Sequence, residues 1–118
     1  MLRRLLVPLA LLATSIVFTA SAGAATPKLT GVVGPGFSIK LTQGGKPVKT
    51  LKAGTYVITV QDKATIHDFH LKGPGVNKST TVPFTGKQTW TVTLKAGTYT
   101  YQCDPHAAAG MKGTFKVT

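Results

Sequence analysis

The chain has 118 residues, with 14 basic side chains against three acidic ones and a formal net charge of +11. Its lysines are dispersed from Lys28 to Lys116 without a run, and its aromatics fall on alternating apolar positions, which argues against a nucleic-acid surface. The single cysteine, Cys103, excludes an internal disulfide framework, so this lone thiol needs another reason to be there.

From the N-terminus, residues 1–24 read as an export signal. Arg3 and Arg4 supply its positive start, and Leu5 to Phe18 an apolar stretch broken by Pro8, Thr14 and Ser15. Ala20-Ser21-Ala22 or Ala22-Gly23-Ala24 supplies the small-residue cleavage pattern. The stretch is short for a membrane-spanning helix. Its removal leaves residues 25–118, which suffice for one small domain and not for two. Both arginines leave with it, so twelve lysines face Asp62, Asp68 and Asp104 and the remaining charge is +9. The expectation is a monomer outside the cytoplasm, periplasmic or secreted, whose diffuse positive field steers it toward an acidic partner surface.

Residues 25–36, rich in Gly, Pro and Thr, form a leading segment with one edge strand. Thereafter the period is two. Phe37, Ile39 and Leu41 alternate with polar residues, as do Tyr56, Ile58 and Val60, and then Trp90, Val92 and Leu94. Turn signals at Gly44-Gly45-Lys46-Pro47, Lys52-Ala53-Gly54, Gly73-Pro74-Gly75 and Lys95-Ala96-Gly97 separate them, and no segment offers ten residues of helical period. Short strands at this spacing predict an all-β antiparallel sandwich. Thr-Leu-Lys-Ala-Gly-Thr-Tyr occurs at Thr50 to Tyr56 and again at Thr93 to Tyr99. Because the flanks differ, it reads as one strand-turn-strand solution used twice.

The chemistry gathers near the C-terminus, where Cys103-Asp-Pro-His106-Ala-Ala-Ala-Gly-Met111 offers a thiolate, an imidazole and a thioether. Sulfur suits Cu(I), nitrogen is accepted by Cu(II), and a weak axial Met completes a trigonal set once a second His is added. Zinc seldom takes Met. Tyr99, Tyr101 and Cys103 share one strand face, so the thiol points inward, and Pro105 helps turn His106 back toward it. The second imidazole is His67 or His70. Alternation sets His67 with Phe69 and Leu71 on the apolar face, leaving His70 at the surface near Asp68, so the predicted metal ligands are His67, Cys103, His106 and Met111.

Tyr99-Thr-Tyr-x-Cys103-x-Pro-His106, followed by Ala109-Gly110-Met111-x-Gly113 and a closing strand from Phe115 to Val117, resembles the copper loop of the cupredoxins, above all the plastocyanins and their bacterial relatives. The resemblance runs from about Leu51 to Thr118. It implies a Greek-key β-sandwich, one type 1 copper ion near one end, and a small electron carrier rather than an enzyme. It also implies that His106 shows a ring edge to solvent within an Ala107 to Ala109 docking patch. Three departures stand out. Asp68 replaces an Asn that usually ties the two ligand loops together, Gln102 replaces an aromatic before the Cys, and the acidic patch of the plant proteins is missing. The alternatives are a copper carrier or resistance protein with the same ligands, an enzyme fragment, for which three His are too few, and a metal-free sandwich, which leaves the ligand spacing unexplained.

Overall fold

Alternation becomes strand over most of the chain in a computed structural model that describes Pro8, residues 10–18 and residues 24–118. Residues 10–18 carry neither helix nor strand, and Arg3, Arg4 and the cleavage motifs from Ala20 to Gly23 lie outside the described residues. Among the described residues no helix is long and apolar enough to cross a membrane.

In chain order the strands are β1 (Lys28–Val33), β2 (Ile39–Gln43), β3 (Lys46–Pro47), β4 (Thr50–Leu51) and β5 (Gly54–Asp62), then β6 (His70–Gly73), β7 (Val76–Ser79), β8 (Gly86–Leu94), β9 (Gly97–Gln102) and β10 (Lys112–Val117). They make two five-stranded sheets, ordered β3-β2-β1-β5-β8 and β4-β10-β9-β6-β7. The inner faces bury Leu29, Ile58, Val60, Leu71, Leu94 and Phe115, among others, as a single core. The expected β-sandwich is therefore present.

Its pairing is not purely antiparallel. β1 runs parallel to β5, and β4 runs parallel to β10. Alternation reports which face of a strand is buried and is blind to strand direction, so only the hairpin partners could be anticipated. β1 is also no edge strand, since it lies between β2 and β5 in the middle of its sheet. Gly31 within it leaves room for the Phe69 ring, where an added Cβ would come within 2.7 Å of Cζ.

The heptapeptide that occurs twice has the same structural use in both places. Its first copy leads from β4 in one sheet to β5 in the other, and its second from β8 back to β9, so both copies cross between the sheets. In each, the final tyrosine bonds back to the chain four residues earlier: Tyr56 Oη donates to Lys52 O (2.7 Å), and Tyr99 Oη lies 2.9 Å from Lys95 O. The one described departure from strand and turn at the site is a 3₁₀ turn, Asp104–Ala109, following β9.

Candidate metal centre

Two segments at one end of the sandwich bring three of the four predicted ligands, His67, Cys103 and His106, within reach of one another. Cys103 follows the last residue of β9 and is wholly buried, as inward alternation requires. The chain then closes on itself: His106 N–H donates to Cys103 O, Met111 N–H to His106 O, and Cys103 N–H to Met111 O, at 3.1, 3.2 and 3.0 Å. This tight turn returns His106 toward the sulfur and buries Met111 in the core. His67 arrives from the segment before β6, buried like its neighbour Phe69, whose N–H donates to Thr80 Oγ1 at 2.8 Å.

Nδ1 of His67 and Nδ1 of His106 lie 3.0 Å apart, and Cys103 Sγ is 3.6 and 3.4 Å from them. A point equidistant from the three is about 2 Å from each, the length of a metal–imidazole bond and near that of a metal–thiolate bond. His67 Nε2 is buried without a hydrogen-bond partner, so Nδ1 is the atom this ring turns to the common point. Burial pushes the Cys103 thiol up, while the N–H groups of Asp68 and His106 act in the opposite direction on it. A bound cation would stabilise the thiolate further. Two nitrogens and one sulfur around one common point, with a buried Met in the same loop, fit copper: the sulfur suits Cu(I) and the imidazoles suit Cu(II).

The two ligand segments are tied by Asp68, whose Oδ1 accepts from Asp104 N–H at 2.6 Å while Ser79 Oγ donates to Oδ2 at 3.3 Å. The tie is thus kept with a carboxylate in place of the family's amide. Asp68 is itself buried, which corrects its expected position on an exposed face beside His70. The reason is local: residues 67–69 lie ahead of β6, and outside a paired strand alternation need not send successive side chains to opposite faces. His70 does stay out of the converging set, but its partners are Asp104 and Asn77 rather than Asp68. Burial raises the Asp68 carboxyl. Burial works against charge on Asp104 too, but bonds from Gln102 and His70 prevail and hold its carboxyl low.

One residue escapes sequence reading. Phe37 lies not in β2 but in the bend before it, exposed, with its ring against those of His67 and His106. The Gly34-Pro35-Gly36 run ahead of it is the signal that a bend rather than a strand begins there.

Comparison with known proteins agrees with this geometry. Residues 32–118 match the family described as copper binding proteins, plastocyanin/azurin family. Among solved structures, reduced rusticyanin is 26% identical over 82% of each chain with a TM-score of 0.62. Rusticyanin from Thiobacillus ferrooxidans is 27% identical over 85% of each chain at a TM-score of 0.53. Auracyanin from Roseiflexus castenholzii, 22% identical over 81% of this chain and 99% of its own, shares the fold at 0.55.

Proposed function

The chain belongs to the plastocyanin/azurin family of copper-binding proteins, and from that premise we propose that it is an exported, monomeric electron carrier whose type 1 copper is held by His67, Cys103, His106 and Met111. The convergence of two Nδ1 atoms and one Sγ on a single point carries this reading. Copper supplies a one-electron Cu(I)/Cu(II) couple there. The chain's part is to hold the donors still. The backbone bonds within residues 103–111 and the Asp68 tie to Asp104 hold both ligand segments, so little need move when charge changes. Buried Phe69 and Leu71 keep water from the inner side.

His106 is half-buried among Ala107, Ala108 and Ala109, which are small enough to let a partner approach the ring closely. A patch of that size suits a transient redox encounter. We assign residues 1–24 to export, residues 25–118 to the carrier domain, and the partner to a protein with an acidic docking surface. A carrier rather than an enzyme is favoured by the histidines: two line the site, and the third, His70, is engaged by Asp104 and Asn77, leaving none for a second copper cluster. Electrochemistry tests this function. A reversible one-electron wave with fast self-exchange is expected. An irreversible wave, together with transfer of the ion to an acceptor protein, would identify a metal deliverer instead.

A further inference from the structure

Phe37 is 66% exposed, and its ring centroid lies 4.7 Å from that of His106 and 5.6 Å from that of His67, edge-on to both at 71° and 79°. An exposed Phe alone is ordinary on a protein surface. Here, however, both aromatic rings it meets among the described residues are imidazoles of the metal centre, themselves 5.0 Å apart. The same bend meets His67 from a second direction. Gly34 has φ of +74°, and a Cβ there would come within 2.9 Å of His67 Cδ2, so the backbone lies flush against the ring.

These contacts matter because of what His67 lacks. A ligating histidine is usually oriented by a hydrogen bond from its other ring nitrogen. His67 Nε2 is buried and has no such partner. The plane of this ring is therefore set by the surfaces around it, and one of them, Phe37, also touches His106. We propose that Phe37 is a positioning residue of the metal centre, a clamp that holds both imidazoles with Nδ1 toward Cys103 Sγ and so governs how firmly the ion is kept. The inference rests on the reading of His67 and His106 as copper ligands.

The test compares Phe37→Ala, Phe37→Leu and Phe37→Tyr with the native protein, each copper-loaded. Copper release to excess EDTA should be roughly tenfold faster in Phe37→Ala, as expected for the loss of two aromatic contacts. Phe37→Tyr, which keeps the ring, should release at the native rate, and Phe37→Leu, which keeps bulk without it, should release faster than native. In ¹H NMR of the reduced proteins, the ring protons of His67 and His106 should shift in Phe37→Ala and Phe37→Leu and stay in place in Phe37→Tyr. A role in bulk packing alone would instead make Phe37→Leu native-like. Native release rates in Phe37→Ala would overturn the clamp while leaving the copper centre intact. A native protein that takes up no copper would overturn the clamp and the copper reading together.

Discussion

His70 Nδ1 lies 2.9 Å from Asp104 Oδ2 at the rim of the metal centre, one residue along from Cys103. Burial works against charge on His70, but its bonds to Asn77 and Asp104 prevail and raise its pKa. A raised histidine contributes stability that is fully present below its unfolded value of about 6.5 and is lost as pH rises through the folded one. Asp104, held low, contributes from the ordinary carboxylate range upward, so the pair is at full strength in mildly acidic solution. Both groups are partly exposed, and screening limits the pair to at most about 1 kcal/mol. The metal-free protein should therefore melt a few degrees lower at pH 8.5 than at pH 5.5, at about 4–8 °C per kcal/mol for a domain of this size. In His70→Gln that difference should shrink. An unchanged pH slope in the variant would remove His70 from the account. His70 also shows how far sequence reads at this scale. Its exclusion from the converging donors was legible, because only His67 shared the register of Phe69 and Leu71. Its partner was not, because Asp104 reaches it through a fold-over of 34 residues that no local pattern encodes.

At the scale of elements, the repeated heptapeptide was visible as sequence, and its use as a strand-turn-strand unit follows from the turn residues alone. That each copy changes sheets was hidden, since a turn signal does not say which sheet the next strand joins. The same blindness hid the parallel pairs β1 with β5 and β4 with β10, and placed Phe37 in a strand that starts two residues later. The two tyrosine crossings differ in depth. Tyr99 Oη accepts from Lys95 N–H at 2.9 Å and lies within reach of Pro74 O and Lys95 O, whereas Tyr56 Oη meets only Lys52 O. The Tyr99 ring also stacks on Phe115 at 5.3 Å. Tyr99→Phe should cost about 1–3 kcal/mol, because it leaves three partly buried backbone groups without their hydroxyl partner, and Tyr56→Phe, with one such group, about 1 kcal/mol. Urea unfolding of both variants checks the order. Equal losses would mean that the second crossing is no more tightly fastened than the first.

Across the whole molecule, the charge is one-sided, with twelve lysines and three aspartates in residues 25–118, and all three aspartates have buried or bonded carboxylates. Such a field should raise the association rate with a negatively charged partner by roughly 10- to 1,000-fold at low salt and be screened over about 8 Å at physiological ionic strength. Stopped-flow reduction by an anionic small complex should therefore slow steeply as salt is added, and by a cationic one should quicken. Indifference to both reagent charge and salt would mean that the field does not reach the face around His106. The central claim, a copper ion held by two imidazoles and a thiolate, is tested most directly by the visible spectrum of the oxidised, copper-loaded protein. One copper per chain and an intense blue thiolate-to-Cu(II) band are expected, bleached on reduction, lost in His67→Ala and Cys103→Ser, and kept in His70→Ala. A colourless copper-loaded protein, or a band that survives His67→Ala and disappears in His70→Ala, would contradict it.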